Sequence, residues 1–317
     1  MWSRREDRAN EAPEAWRAYA DAAVQGRLHA GAHSERGGIH AIDIKTRLSG
    51  PEGGPYRLNG TKYYSTGALY ADALSISAIN DHGDLVMVQL PADAPGVELR
   101  DDWNGIGQRL TGSGTTVLTD VVVEEGQVGV MKARRAPTAS NDIFEDGPTG
   151  GLTAAACTGF HAALTVGIAR AAFEDGVWFL REKARPWVYT GIERAADEPL
   201  LLKIEGELQT QLHAAEALLE RAARLVDRAY QTLTAADVLA ARVAVAEAKA
   251  FGSEAGLRIA SDIFTLGGTG STDRKYNLDR HWRNLRTHET HDATRWLYFH
   301  VGNALVNNAA PPATGKI

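Results

Sequence analysis

The sequence has only one cysteine, Cys157, among its 317 residues. One thiol forms neither an intramolecular disulfide nor a cysteine-based zinc site, which excludes a secreted disulfide scaffold and favours a reduced, cytoplasmic location. Positive charge is also scarce, because 34 Lys and Arg residues stand against 40 Asp and Glu residues and the formal net charge is −6. This balance predicts no broad basic surface for nucleic acid. Small molecules are the expected partners.

Long apolar runs are missing as well. No stretch reaches about 18 uninterrupted apolar residues, and the charged opening from Met1 to Arg8 has no apolar run behind it. The sequence therefore predicts neither a membrane span nor a signal peptide. The Gly-rich segment 101–114 lacks the Gly-Lys-Ser/Thr of a phosphate loop, and it lies between predicted strands rather than between a strand and a helix. No nicotinamide fingerprint is present.

The amino-acid composition and the pattern of apolar residues change along the chain, which together with its length predicts about two domains. Residues 1–37 are rich in Ala, Arg and Glu and begin with an amphipathic helix that ends near Gly26. Residues 38–130 hold short segments of alternating or β-branched residues punctuated by Gly and Pro, which is typical of a β domain. A polar linker over 131–150 leads to a helical region over 151–317.

Local signals predict the elements of both regions. Leu74, Ile76 and Ala78 alternate along one predicted strand, and the pair Asn59-Gly60 predicts a hairpin because both residues tolerate a positive φ. In the helical region, the spacing predicts one helix through 166–180 closed by Pro186, one beginning after Pro199, one capped by Thr234 with Asp237, and one over 287–307. Four such helices favour an up-and-down bundle.

Three segments carry groups suited to chemistry. The segment 60–67 leads from a strand into hydroxyl side chains and a glycine, although an ordinary hairpin strand explains it as well. The segment 101–114 combines glycines with an indole and an arginine. In the segment 276–292, His288 and His291 share a helix face, but a metal site needs further ligands, so no metal is predicted and hydrogen-bonding roles are favoured.

Arginines recur at every third position of the last segment, at residues 280, 283 and 286. Such a row is typical of a solvated or salt-bridged helix face. Beside aromatic and imidazole groups it also fits an anionic cofactor.

Together and in this order, the three segments resemble the acyl-CoA dehydrogenase superfamily, and more closely its flavin-dependent monooxygenase branch, which includes the dibenzothiophene and sulfone monooxygenases. The resemblance runs from about Ala30 to Pro312, and the run from Leu278 to His288 is its most specific part. It implies an α+β fold with a middle β-barrel followed by a C-terminal four-helix bundle, and an N-terminal helical domain that is largely missing here. It also implies a homotetramer with flavin between barrel and bundle.

The resemblance implies functional residues position by position. The implied cofactor-binding residues are Ala32, His33, Ser34, Glu35, Tyr63, Tyr64, Ser65, Thr66, Arg185, Thr269, Gly270 and His291. Within this set, Arg185 is implied to bind the FMN phosphate. The implied catalytic residues are His291, His288, Ser65 and Thr66, and Trp103 and Tyr64 are implied to contact the substrate. Two positions depart from the oxygenases, with Gly31 where they carry Asn and Gly270 where they carry Arg.

The register of the third segment separates oxygenases from dehydrogenases. Dehydrogenases of the superfamily often carry Tyr-Glu-Gly-Thr, with the Glu as base, where this chain has the run from His291 to Thr294. An Asp at that position is one methylene shorter, and a misplacement of about 1 Å costs on the order of 100-fold in rate. An imidazole suits proton management in oxygen chemistry.

The implied enzyme is a two-component flavin monooxygenase. Reduced FMN, supplied by a separate flavin reductase, would form a C4a-(hydro)peroxyflavin with O2 and oxygenate an apolar organosulfur or heteroaromatic substrate. One alternative is an acyl-CoA dehydrogenase with FAD and Asp292 as base. The other is a non-catalytic, truncated homologue, because the match begins very near the start of the chain.

Overall fold

The structure is a computed structural model that describes residues 20–38, 43–132 and 148–311. The chain forms two compact units, one of residues 1–104 with 109–143 and one of residues 105–108 with 144–317. The end of the predicted N-terminal helix is confirmed, because residues 20–24 are helical and a turn follows at Gly26. The start of that helix and most of the predicted polar linker lie outside the described residues.

The part of the first unit that the structure describes is built around a mixed sheet of eight strands. The strands are β1 His29–Ala32, β2 Arg47–Ser49, β3 Tyr56–Lys62, β4 Ala73–Asn80, β5 Leu85–Pro91, β6 Val97–Arg100, β7 Thr115–Val123 and β8 Val128–Lys132. Their order is β6-β7-β3-β2-β4-β5-β8, and β1 pairs in parallel with β4. The predicted alternation is confirmed, because Leu74, Ile76 and Ala78 are all fully buried and form one core with residues of β3, β5 and β7.

The hairpin predicted at Asn59-Gly60 is wrong. Both residues lie inside β3, whose two halves pair with the same strand, β7, with a shift of register between Leu58 and Gly60. The feature is therefore a β-bulge, in which Asn59 accepts a 2.8 Å hydrogen bond from the backbone of Asp120. Glycine is needed because a Cβ at residue 60 would lie 2.3 Å from the Thr46 hydroxyl.

Over its described residues, the second unit contains five α-helices, three long and two short. They are α1 Pro148–Glu182, α2 Pro199–Thr232, α3 Ala235–Gly267, α4 Asp279–Glu289 and α5 Thr294–Asn307. The three long helices pack against one another, and the central one, α3, also contacts α4 and α5. The predicted cap of α3 is confirmed, because the Thr234 hydroxyl accepts from the backbone N–H of Asp237.

The single helix predicted over 287–307 is divided in two. The hydroxyl of Thr290 donates to the carbonyl of Thr287 at 2.7 Å, and the N–H of His291 donates to the carbonyl of His288 at 3.1 Å, which closes the last turn of α4. Ala293 is then extended before α5 begins. The interruption turns Asp292 into the interior, where its carboxylate meets a buried lysine of α3.

Among the residues that the structure describes, one helix has the length and composition of a membrane span, namely the segment Thr149–Glu182 of α1. Its most apolar 18-residue window has a mean hydropathy of 1.5, and 44% of that window is buried against the rest of the protein. A core helix of a bundle meets the same criteria, because it is apolar on more than one side. The absence of a membrane span stays a prediction.

Candidate functional site

In the first unit, the chain after β3 is folded into a tight turn against the start of β7. Tyr64 and Gly67 have positive φ values of 58° and 82°. The N–H of Ser65 donates to the carbonyl of Gly114 at 3.1 Å, and the N–H of Gly67 donates to that of Thr111 at 2.8 Å. The turn therefore presents a fixed set of hydroxyl groups beside β7.

The hydroxyl groups of this turn are connected to those of the neighbouring segment. Thr66 Oγ1 lies 2.8 Å from Ser113 Oγ, which lies 2.6 Å from Thr111 Oγ1. Thr116 donates to Ser65 Oγ at 3.0 Å. Of the two residues with predicted catalytic hydroxyls, Thr66 is exposed and Ser65 is almost completely buried. Ser113 and Thr116 are additions that the sequence analysis missed, because hydroxyl residues near strand ends are common.

The predicted substrate residues come together in this unit. Tyr64 is half exposed and meets Trp103 edge-on, with ring centroids 6.0 Å apart and planes at 87°. Arg36 was not predicted, yet its guanidinium lies 4.3 Å from the Tyr63 ring centroid and 5.0 Å from that of Tyr64. It also donates to the Tyr64 hydroxyl at 3.3 Å. These side chains form an aromatic wall that carries one cation.

The loop after β1 is fixed by a buried ion pair. Lys62 Nζ lies 2.6 Å from Glu35 Oε1, and the side chains are 0% and 5% exposed. Glu35 also accepts from the backbone of Lys45 and from both the backbone and the hydroxyl of Thr46. The carboxylate of Glu35 thus has internal partners on both oxygens and positions the loop. A direct cofactor contact by Glu35 stays a prediction.

The other predicted residues of this loop have distinct environments. Ala32 is fully buried and pairs with Ile76 of β4, so a contact between Ala32 and a cofactor stays a prediction. The carbonyl of Ser34 accepts from Tyr63 N–H at 2.9 Å. Burial, with a smaller effect from the charge of Lys62, lowers the pKa of His33 to about 4, so this imidazole is neutral at pH 7. A Cβ at Gly31 would lie 2.7 Å from His33 Nε2, which explains why no side chain occurs there.

In the second unit, three imidazoles form a cluster. The rings of His161 and His291 are stacked with centroids 4.3 Å apart, and the rings of His161 and His288 lie 5.1 Å apart. His288 Nε2 lies 3.2 Å from the carbonyl oxygen of His161. The structure therefore brings the two predicted histidines together and adds His161 from α1. A histidine in an otherwise apolar helical stretch was the available signal.

An ion pair supports this imidazole cluster. The ammonium of Lys249 contacts Asp292 Oδ2, and both side chains are 1% exposed. The same carboxylate oxygen lies 3.1 Å from His291 Nδ1, whereas the His291 side chain is 42% exposed. Lys249 was missed, because a lysine within a helical run such as 244–250 is usually exposed to solvent.

The cluster keeps its inner imidazoles neutral. Burial, followed by the charges on His291, Lys249 and His288, lowers the pKa of His161 to about 3. Burial also lowers the pKa of His288, and the nearby charge of Lys249 acts in the same direction, although the contact with the His161 carbonyl opposes them. Two of the three imidazoles are therefore uncharged at pH 7.

This neutrality predicts a pH-dependent stability that depends on His161. Because its folded pKa of about 3 lies below the unfolded value of 6.5, its contribution to stability is present above pH 6.5 and is lost as the pH falls. At pH 5 the loss is about 2 kcal/mol, since each pH unit below 6.5 costs about 1.36 kcal/mol. Urea unfolding at pH 7.5 and pH 5 should show a loss of stability that is smaller in His161→Gln than in the native chain by about 2 kcal/mol. The loss that remains comes from groups such as His33 and His288, whose pKa values are also lowered by burial.

The matched control is His82→Gln, because His82 lies in an exposed turn of the first unit. This variant should keep the native pH dependence. An equal loss of stability in His161→Gln and in the native chain would contradict a neutral His161.

The remaining predicted cofactor residues lie elsewhere in the bundle. Arg185 is exposed just beyond the end of α1, and within the described part of the chain it forms no ion pair. Thr269 and Gly270 are exposed in a 3₁₀ turn that follows α3. This turn is about 27 Å from the level of Lys249, because 18 residues of helix separate Lys249 from Gly267 at about 1.5 Å each. One protomer does not bring this turn to the imidazole cluster.

The donor groups fit a flavin better than a metal ion. Within residues 20–38, 43–132 and 148–311, no group of three or more His, Cys, Asp or Glu side chains is arranged to hold a metal. Buried nitrogens without a hydrogen-bond partner remain on His33 and His161, both at Nδ1. Neutral hydroxyls and imidazoles match the uncharged polar edge of an isoalloxazine ring, and the exposed cation of Arg185 matches a phosphate.

Comparison with known proteins identifies the relatives of this chain. Residues 31–121 match the middle domain and residues 160–296 the C-terminal domain of acyl-CoA dehydrogenases. The chain is 32% identical over 296 residues to dibenzothiophene monooxygenase of Rhodococcus erythropolis, a match that covers 91% of this chain and 70% of that protein. It is 30% identical over 282 residues to the probable FMNH2-dependent monooxygenase SfnC of Pseudomonas putida, covering 86% and 68%.

The fold comparison agrees with the sequence comparison. FMN-bound TdsC of Paenibacillus sp. A11-2 aligns with a TM-score of 0.86 and 28% identity over 96% of this chain and 77% of TdsC. The same enzyme has a solved structure with FMN and indole. The predicted resemblance and α+β fold class are confirmed: the chain belongs to the acyl-CoA dehydrogenase family, in its branch of flavin-dependent monooxygenases.

Proposed function

We propose that this chain is a two-component monooxygenase that uses reduced FMN and O2 to oxygenate an apolar organosulfur or heteroaromatic substrate. Its relatives carry names of that activity, and one is a probable FMNH2-dependent enzyme. Bound reduced FMN supplies the electrons that activate O2. A separate flavin reductase supplies the reduced flavin, and a cytoplasmic location suits both partners.

The residues of the first unit bind the flavin and the substrate and orient them. The Tyr63–Thr66 turn offers an exposed hydroxyl at Thr66, whose position is fixed by Ser113 at 2.8 Å. His33 adds a neutral imidazole. The Tyr64–Trp103 pair supplies an apolar wall for a heteroaromatic substrate, since edge-on contacts between aromatic rings are favourable. In the second unit, Arg185 holds the FMN phosphate by charge.

The observation that carries the proposal is the state of Asp292. In a dehydrogenase this position supplies the base that removes an α-proton, which requires a carboxylate that reaches the substrate. Here the Asp292 side chain is 1% exposed and its charge is neutralised by Lys249. The partly exposed imidazole of His291, held through Nδ1 by Asp292, is the group placed to exchange a proton with a ligand. This arrangement supports the oxygenase and disfavours the dehydrogenase with Asp292 as base.

The distance between the two ends of the bundle supports assembly of more than one subunit, as in the predicted homotetramer. The turn with Thr269 and Gly270 lies about 27 Å along α3 from Lys249. If both ends contact flavin, each end does so in a different site, so a partner subunit contributes one of them. The family resemblance implied the same arrangement.

A flavin titration coupled to turnover tests the proposal. The full chain should retain added FMN, and with a flavin reductase, NADH and O2 it should convert dibenzothiophene or indole to oxygenated product with less hydrogen peroxide than in the absence of substrate. Anaerobic addition of an acyl-CoA should leave bound flavin oxidised. Bleaching by an acyl-CoA would favour the dehydrogenase, and failure to retain either FMN or FAD would favour the non-catalytic homologue.

A further inference from the structure

Lys249 is one of the most deeply buried charged groups of the bundle. It lies at the centre of α3, next to the buried Ala246 and Ala250, which pack with Leu297 of α5. Burial lowers its pKa to about 8, and the contact with Asp292 acts in the opposite direction, so the amine is charged at pH 7. A buried charge is costly unless it is paired. A lysine in this position therefore calls for a reason beyond packing.

The carboxylate of Asp292 connects this lysine to the imidazole cluster. Oδ2 of Asp292 contacts Lys249 Nζ and also lies 3.1 Å from His291 Nδ1. One oxygen thus touches an ammonium on one side and an imidazole on the other. Because Nδ1 faces the carboxylate, the other ring nitrogen, Nε2, is the one that exchanges protons with a ligand.

The charge balance around His291 follows from these contacts. A buried carboxylate next to an imidazole would by itself hold the imidazole in its charged form. The ammonium of Lys249 on the same oxygen cancels that effect. The other ionisable groups nearby are His161 on α1 and, on α4, His288 and the ion pair of Arg286 with Glu289 at 2.6 Å, which is neutral as a whole.

More distant groups of α3 and α5 complete this account. Arg242 is seven residues from Lys249, or about 10 Å along α3. Burial, followed by the charge of Arg242, lowers the pKa of His300 on α5. Glu254 accepts from the Tyr298 hydroxyl at 2.8 Å. The cation in contact with Asp292 is therefore Lys249.

We propose that Lys249 is a positioning residue that acts through Asp292 to keep the imidazole of His291 in a fixed tautomer and able to gain and lose a proton near neutral pH. The inference rests on the proposed function, because it assigns to His291 the proton exchange of the oxygenase. It adds a residue of α3 that touches neither flavin nor substrate. Without Lys249, the carboxylate would retain a proton on the imidazole or on itself.

The test is the titration midpoint of His291, followed by NMR of the full chain labelled at histidine Cε1, with and without FMN. The resonance is assigned by its loss in His291→Gln. Lys249→Met removes the ammonium and keeps much of the side-chain volume. We expect it to raise the midpoint by about 1–3 pH units, the usual effect of one unbalanced charge at this distance. An unchanged midpoint would overturn the proposal.

Two further variants separate charge from packing. The double variant Lys249→Met/Asp292→Asn is neutral at both positions and should return the midpoint to within about one unit of the native value. Asp292→Asn alone should lower the midpoint by about one unit, and it decides the question if Lys249→Met does not fold. A double variant that keeps the shift of Lys249→Met, or an Asp292→Asn midpoint equal to the native one, would assign Lys249 a packing role only.

The NMR readout needs no turnover. Midpoints that follow this pattern in a chain that retains no FMN would therefore leave the charge relation standing and end the proposed function. The amount of product formed per flavin oxidised should change among the variants in the same order as the His291 midpoint. In Lys249→Met, the acidic limb of the pH profile of this coupling should move to higher pH together with the midpoint.

Discussion

Replacing His291 by alanine should leave FMN bound and divert most of the consumed O2 from product to hydrogen peroxide. The imidazole is the partly exposed member of the cluster, and Asp292 holds it through a 3.1 Å contact at Nδ1. A positioned acid or base contributes typically about 10²–10⁴-fold to a proton-transfer step. We therefore expect product formed per reduced FMN to fall at least about tenfold. Peroxide is measured with a peroxidase-linked dye while product is quantified by chromatography.

The control for this variant is His213→Ala, because His213 is exposed on α2 and belongs to the same unit. It should couple as the native chain does. The FMN dissociation constant of His291→Ala should stay within about tenfold of the native value, because one neutral hydrogen bond contributes only about 0.5–1.5 kcal/mol. If His291→Ala still transfers oxygen as efficiently as His213→Ala, His291 is not the proton-exchanging group.

The sequence contained enough local information to predict most elements of the fold. Alternating apolar residues of β4, the cap at Thr234 and Pro199 at the start of α2 act within a few residues, so each can be recognised from its neighbours. The errors occurred where tertiary contacts override local preference. The bulge at Gly60 exists because β7 pairs with both halves of β3, and the break at Thr290 turns Asp292 toward Lys249.

The candidate site was predictable only in part for the same reason. The Tyr64–Trp103 contact and the His288–His291 pair lie within segments that carry a family resemblance. The groups that support the imidazoles lie outside these segments, because His161 is 130 residues before His291 and Lys249 is 43 residues before Asp292. Nothing in the local sequence tells a buried helical lysine from a solvated one, and only the packed bundle decides between them.

Replacing Lys62 by methionine should destabilise the first unit strongly. Lys62 is 0% exposed, and its ammonium lies 2.6 Å from Glu35, 3.3 Å from the Ser77 hydroxyl and 3.4 Å from the His33 carbonyl. Its removal leaves the Glu35 carboxylate buried without a counter-charge. Loss of one member of a buried pair costs about 3–5 kcal/mol, whereas replacing both members by neutral groups is often nearly neutral. Lys62→Met/Glu35→Gln should therefore recover most of the stability lost in Lys62→Met.

The pH dependence identifies the charge as the cause. Burial alone would raise the pKa of Glu35, but the hydrogen bonds from Lys62 and Thr46 and the charge of Lys62 lower it overall. In the native chain, Glu35 thus stabilises the fold above pH 4.5, and this contribution is lost as the pH falls through the lower, folded pKa. Without Lys62, burial raises the pKa of Glu35 instead. The free energy of unfolding that Lys62→Met loses relative to the native chain, measured by urea unfolding, should therefore become smaller between pH 7 and pH 4. A deficit that is constant over this range, or one retained in the double variant, would point to lost packing around the lysine stem. Because the Lys62–Glu35 pair fixes the loop that carries His33, a charge-based deficit should also weaken FMN binding, and both losses should be reversed together in the double variant.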